Sequence, residues 1–234
     1  MPYNESINDK EKSKKVQTMF NNIASKYDFL NKVLSLKLDS SWRNKAIKMV
    51  GIEANDKVLD LACGTGDMMI AIKKNHPDSK VFGADFSVNM LTINKKKIPD
   101  SVLSAADAHF LPYKNNSFNK VTISFGFRNV ADKSQGLKEL YRVLDNNGRI
   151  CILELTQPEN RFINAIYKLY FKKLLPYIGG MFSSKKAYTY LPDSVYLFPR
   201  RKEFQGMIEE AGFKNIKFKS MLFGAVTAVS MEKK

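Results

Sequence analysis

Three carboxylates and a pair of glycines are spaced along this chain so that together they could hold a cationic, nucleotide-like cofactor. Residues 58–67 read VLDLACGTGD. Val58, Leu59 and Leu61 make a short apolar strand, and Asp60 stands where that strand ends. Gly64-Thr65-Gly66 follows as a turn without bulk, and a helix starts near Asp67. The two glycines let the backbone come close to a ligand, and the helix start presents unpaired N–H groups. This strand–glycine turn–helix unit is how doubly wound sheets bind such cofactors. A second strand, KVFGAD at 80–85, ends in Asp85. That acid comes about 20 residues after the glycines, the spacing at which a carboxylate binds ribose hydroxyls.

The residues that are missing narrow the ligand. A dinucleotide fingerprint has a third glycine where Met69 stands, and a P-loop has a lysine after its last glycine, which Gly66 lacks. Asp60 and Asp67 flank the loop with negative charge, which suits a cation better than a pyrophosphate. S-adenosylmethionine, with its amino group and its sulfonium, meets that requirement.

The elements that must position these residues alternate along the chain. Helical stretches are expected at 11–24, 27–36 and 40–50, the third capped by Ser40 or Ser41. Strand 58–61, helix 67–75, strand 80–85 and helix 87–97 follow, with Ser87 as N-cap. A short strand lies near 102–105 and a buried, β-branched one at 121–125. Helix 132–144 leads to a fifth strand, 149–155. Helix 201–211, strand 214–220, a turn at Phe223-Gly224 and strand 225–231 close the pattern. The predicted fold is α/β, a doubly wound, mostly parallel, seven-stranded sheet of Rossmann-like type that ends in an antiparallel hairpin. It reads as a single domain, 1–234, with an N-terminal helical extension at 1–50 and a helical lid insertion at 160–198.

Composition sets outer limits. Two cysteines, Cys63 and Cys151, sit far apart, and His76 and His109 are the only histidines. Neither a disulfide framework nor a zinc site is expected, no metal is assigned, and a reducing cytoplasm is the natural setting. No apolar signal segment and no run of about 18 apolar residues is present. The net charge of +15 is mostly lysine, with seven arginines. It reads first as a solvated surface, then as affinity for an anionic membrane, and last as nucleic-acid binding.

The insertion carries RFINAIYKLYFKKLLPYIGGMF at 161–182. Asn164, Lys168 and Lys172 form one polar stripe, while Phe162, Ile163, Ile166, Leu169, Tyr170, Leu174 and Ile178 cover the rest. A helix so widely apolar is a core element of a lid, or it faces a lipophilic substrate or a headgroup layer.

Three separated segments resemble one family. YDFLNKVLSLKLDSSW at 27–42, FGFRNVADK at 125–133 and RVLDNNGRICILELT at 142–156 are similar to segments of the UbiE-type quinone C-methyltransferases. The likeness runs from about Phe20 onward. Departures are Asp39 where many members have His, Asn146 for the usual Pro, Thr156 for Ser, and Cys63 in the loop. The resemblance implies the class I methyltransferase sheet and methyl transfer from S-adenosylmethionine to a ring carbon of a prenylated hydroquinone. The products would be menaquinol or the methylated precursor of ubiquinol.

Carried over, the cofactor contacts fall on Thr65, Asp85, Asp107, Ala108 and Ser124. Gly64, Gly66 and Asp60 would hold the methionine moiety. Ring carbon attacks only once a neighbouring hydroxyl has lost its proton, so the protein must favour a phenolate. Arg128 is the expected oxyanion partner, with Asn129, Tyr27, Asp28 and Tyr190 as further candidates. A strand-end ion pair is the other reading of Arg128, and a packed helix aromatic that of Tyr27. The expected partners are the lipophilic quinol and a peripheral membrane surface, with no nucleic acid. A homodimer is compatible with the sequence, which fixes no oligomeric state. The alternative is a methyltransferase acting on RNA or another small molecule, but the greasy insertion stands where an RNA groove would be polar and basic.

Overall fold

The fold comes from a computed structural model that describes residues 9–169 and 185–234. Its elements are α1 (Asp9–Leu34), α2 (Asp39–Val50), β1 (Lys57–Leu61), α3 (Asp67–Asn75), β2 (Lys80–Asp85), α4 (Val88–Lys97), β3 (Val102–Ala105) and β4 (Phe118–Ser124). Then come α5 (Lys133–Val143), β5 (Leu144–Leu155), α6 (Arg161–Leu169), α7 (Lys185–Tyr196), α8 (Arg201–Glu210), β6 (Lys214–Met221) and β7 (Val226–Glu232).

The strands form one seven-stranded sheet in the order β3-β2-β1-β4-β5-β7-β6. The pairs from β3 to β5 are parallel, and β7 runs antiparallel to both β5 and β6. The order reverses between β1 and β4. Ligands of open α/β sheets bind at that switch point, beyond the carboxyl ends of the strands.

Alternation along the strands divides the core in two. Leu59, Leu61, Val121, Ile123 and Ile152 pack with Leu137 and Leu140 of α5 and Phe204 and Ile208 of α8. Val58, Cys151, Leu153 and Ala228 pack with Ala46 and Ile47 of α2 and Met69 and Ile72 of α3. Ser87 caps α4 as expected, its Oγ accepting from Met90 N at 3.2 Å.

Four expectations change. The helices expected at 11–24 and 27–36 are one continuous helix, α1. Neither Pro nor Gly interrupts Ser25-Lys26, and the apolar spacing of Val16, Phe20, Ile23 and Tyr27 carries straight through. Neither Ser40 nor Ser41 caps α2. The helix already starts at Asp39, and its N-cap position, Leu38, makes no side-chain bond. The fourth and fifth strands begin earlier than the apolar runs suggest, because Phe118 pairs with Leu144 beyond a bulge. Finally, α6 has no buried residue. Its Phe162, Ile166 and Leu169 are 75%, 55% and 53% exposed, so a core helix is ruled out for 161–169. Tyr170, Lys172, Leu174 and Ile178 of the expected helix lie outside the described residues. Among the described residues no helix is long and apolar enough to cross a membrane.

Candidate active site

The glycine loop is built tightly because two acids reach under it. Asp85, at the tip of β2, accepts from Gly64 N at 2.9 Å and from Ser87 N at 2.8 Å. Burial pushes its carboxyl up to about 6, and those N–H groups oppose the shift. Asp60 is 1% exposed. Its Oδ1 accepts from Thr122 Oγ1 at 2.8 Å, and its Oδ2 has no partner among the described residues. Burial pushes Asp60 up to about 7. A buried, half-satisfied carboxylate of this kind is the group to which a ligand's cation would bring the missing partner. Gly64 and Gly66 have φ of 52° and 93°, the left-handed region in which a side chain is strained. A Cβ on Gly126 would meet Ala62 Cβ at 2.4 Å, so the segment after β4 lies directly against the loop after β1.

The N-terminal helix is part of this site, which its description as an extension does not convey. Asp28 accepts from Thr65 Oγ1 and receives Lys97 Nζ at 2.8 Å. Lys97 also reaches Asp67 at 2.7 Å, and Arg43 pairs with Asp39 and lies 3.7 Å from Asp67. Against the opposing effect of burial, Lys97 and Arg43 hold Asp67 below its ordinary range. Gln17 Nε2 donates to Phe86 O at 2.5 Å, and Ser87 Oγ donates to Asn21 Oδ1 at 2.6 Å. Helix α1 is thus pinned to the loops after both β1 and β2. Asp28, expected beside the chemistry, and Thr65, expected on the cofactor, are bonded to each other.

Asp107 and Ala108 line a cleft with Asp85, Phe86, Gly126 and Asn129, and Ser13 of α1 forms one wall. The cleft has room for about 50 Å³. Ligand pockets are commonly about 300–1,000 Å³. The cleft is thus a narrow, open slot between α1 and the loops after β2, β3 and β4. Asp107 Oδ1 accepts from His109 N at 2.9 Å and contacts His109 Nδ1 at 2.5 Å. His109 draws its carboxyl below the ordinary range. Because His109 Nε2 accepts from Asp132 N at 3.0 Å, the neutral ring carries its proton on Nδ1, facing Asp107. Ser124, at the end of β4, has a buried Oγ without a partner among the described residues.

Arg128 follows β4 in the short turn 127–129 and is buried. Its Nη1 donates to Glu154 Oε1 at 2.8 Å and to Phe125 O, its backbone N to Glu154 Oε2 at 3.0 Å, and its Nε to Ser194 Oγ of α7 at 3.2 Å. Burial disfavours the guanidinium charge, but Glu154, with Tyr27 and Tyr190, more than restores it. The strand-end ion pair therefore exists. It also fixes the guanidinium where Tyr27 and Tyr190 feel its charge. Burial raises the Tyr27 hydroxyl above its ordinary range. Tyr190 Oη donates to Asn129 Oδ1 at 2.9 Å, which ties α7 to the same turn.

Sequence reasoning missed Glu154, Arg43, Lys97 and His109. Glu154 was legible as a lone carboxylate inside the apolar strand RICILEL, since such a charge is buried only when paired. Asp39 and Arg43 were legible as an i, i+4 pair. Lys97 and His109 carry no sequence signal, because their partners come from distant elements.

The chain is similar to known proteins in sequence and in fold. A Geotalea daltonii protein named ubiquinone/menaquinone biosynthesis C-methyltransferase UbiE is 43% identical, over 95% of this chain and 98% of its own. A Thermus thermophilus demethylmenaquinone methyltransferase is 41% identical, over 88% and 96%. The crystal structure of a SAM dependent methyltransferase from Aquifex aeolicus shares the fold, with a TM-score of 0.64 at 16% identity over 90% and 98% of the two chains. Residues 8–233 match the sequence model of the ubiE/COQ5 methyltransferase family, and this chain belongs to that family.

Proposed function

We propose that the protein C-methylates a prenylated hydroquinone, demethylmenaquinol or 2-polyprenyl-6-methoxy-1,4-benzoquinol, using S-adenosylmethionine. The observation that carries this reading is the immobilised Arg128 guanidinium at the end of β4, beside an acid-lined glycine loop. S-adenosylmethionine supplies an activated methyl group and its own leaving group when bound. Asp85 would hold the ribose hydroxyls, Asp60 the ammonium, and Asp107 the adenine amino group. Gly64 and Gly66 give the methionine moiety a backbone surface, and Ala108, Ser124 and Thr65 frame the remainder.

Arg128 then stabilises the phenolate that makes the ring carbon nucleophilic. Its position is set beforehand by Glu154 and Ser194, so little reorganisation is left for the reaction. Tyr27 and Asn129 close the ring site, and Asp28 acts by holding Thr65 and α1. The exposed Phe162, Ile166 and Leu169 of α6, with Lys168 beside them, support a peripheral contact with a bilayer in which such quinols dissolve. Incubating the protein with reduced demethylmenaquinone and S-adenosylmethionine should yield menaquinol, detected by mass spectrometry after extraction. Failure to methylate either quinol class would overturn the reading.

A further inference from the structure

The Arg128–Glu154 pair is also a partition. On one side Gly126, Phe127 and Asn129 line the cofactor cleft. On the other, Glu154 lines a larger cavity of about 440 Å³ between α8 and the sheet face of β5, β7 and β6. The Phe127 and Phe204 rings, 5.8 Å apart, continue the same wall. The larger cavity is walled by Phe198, Phe204, Phe218 and Met221.

Its polar side chains are largely engaged already. Thr156 bonds Thr227 at 2.8 Å and Gly224 O at 2.8 Å, and Gln157 donates to the carbonyls of Tyr196 at 2.9 Å and Val195 at 3.4 Å. Glu154 is held by Arg128, and the Arg201 guanidinium stacks 4.7 Å from the Phe218 ring. The charged side chains left over, Glu159 and Arg200, are exposed at the mouth, so the interior offers an apolar chain the aromatic walls and the water it would displace.

The rim repeats the message. Leu222 and Phe223 hold φ of 47° and 55°, a conformation that bulky L-residues rarely adopt, and Phe223 is 79% exposed. A strained, solvent-facing aromatic is costly twice over, and such outliers gather at ligand clamps. Next to this cavity, sharing Glu159 and Arg200 with it, is a second of about 400 Å³ lined by Arg161 and Lys168 of α6.

We propose that the 440 Å³ cavity holds the first isoprene units of the substrate's prenyl tail. The ring then lies on the cofactor side, its tail passes the edge of the Arg128–Glu154 wall into the cavity, and the rest of the tail leaves over Leu222 and Phe223 toward the exposed strip of α6. This inference rests on the quinol-methyltransferase reading.

The test compares kcat/KM for a prenylated 1,4-naphthohydroquinone with that for the tailless ring, in the wild type and two variants. Ser220→Trp places bulk into the cavity from an exposed position of an edge strand. Phe223→Gly removes the rim aromatic and its strain together, so its Tm should equal or exceed that of the wild type. The wild type should prefer the tailed quinol at least tenfold. Both variants should lose most of that preference, through kcat/KM on the tailed quinol, with S-adenosylmethionine affinity unchanged. An absence of tail preference in the wild type, or an unaltered preference in both variants at intact Tm, would overturn the proposal. If the wild type methylates neither quinol, the methyltransferase reading itself fails, and the two failures are thereby told apart.

Discussion

The two ends of the sheet's carboxyl edge are built on opposite plans. Around β1 and β2, most polar side chains are held by another, with Asp60 Oδ2 left over among the described residues. Asp85 grips two loop N–H groups, Lys97 joins two aspartates, and α1 is stitched to both loops. Around β5, β7 and β6, aromatic rings dominate the interior walls, Thr156, Thr227 and Gln157 bond to protein groups, and charge is confined to Glu154 paired with Arg128, Arg201 stacked on Phe218, and the exposed Glu159 and Arg200. The first end can read charge at fixed points and cannot shift without breaking ion pairs. The second offers mainly shape and apolarity. One molecule thereby combines a demanding site with a permissive one, with Arg128 and Glu154 at the seam.

Breaking the seam should have the largest effect. Arg128→Lys keeps the charge and loses the planar fork. Turnover should fall by about 10²–10³, as for loss of an oxyanion donor, with cofactor affinity nearly intact by calorimetry. Arg128→Ala strands Glu154 as a buried charge and should also cost about 3–5 kcal/mol of stability by denaturant titration. Combining Arg128→Met with Glu154→Gln should recover much of that stability and none of the turnover. If the pair variant turns over normally, the seam is only structural.

At the demanding end, Asp85→Ala should lower S-adenosylmethionine affinity at least tenfold, since each charge-assisted bond is worth about 1.5–3 kcal/mol. Unchanged affinity would place the ribose elsewhere.

Acidity sharpens the contrast further. The folded-state pKa of Asp60 is raised to about 7 from 3.8. Its contribution to stability is therefore fully present below the unfolded value and is lost as pH rises through about 7. Measured against Asp60→Asn, the ligand-free wild type should lose Tm over that interval. Cofactor affinity should move the other way, rising as the carboxylate forms, and the Asn variant should keep only the smaller part of each trend that belongs to Asp85, whose carboxyl is raised to about 6.

The permissive end should respond most gently. If α6 meets an anionic bilayer, Lys168→Gln should weaken liposome binding about fivefold, since one such lysine is worth about 1 kcal/mol. An α6 that ignores liposomes in the wild type would confine the apolar strip to handling substrate.

The same division governs what could be read from the sequence. The strand–loop–helix at 58–75, Asp85 and the Ser87 cap were legible because local chemistry dictates them: glycines for the turn, an acid at a strand tip, a hydroxyl at a cap. Arg128 was legible as a candidate, but its ion pair was not, since Glu154 lies one strand away. The helices expected at 11–24 and 27–36 are one, α1, because the apolar face of Val16, Phe20, Ile23 and Tyr27 runs on without a Pro or Gly between them. Its role as a clamp depends on Gln17, Asn21 and Asp28 meeting loops far along the chain, which no local pattern announces. Nor does periodicity reveal a cavity whose walls come from β5, α8 and the β6–β7 turn.

The antiparallel seating of β7 against β5 has a last consequence, for how such a molecule can diversify. Leu155 stands opposite Val226, so everything from Thr156 to Ala225 is looped out before that pairing forms. The entropy of closing a loop grows only logarithmically, about 0.6 kcal/mol for each doubling of length. Residues can therefore be gained or lost in the exposed connections of that segment at little thermodynamic penalty, whereas α8 and β6 are tied to the core and to β7. The turn that joins β1 to α3 has no such latitude, because Gly126 and Asp85 fix its span from both sides. Descendants of this chain are free to explore new tails long before they are free to explore a new methyl donor.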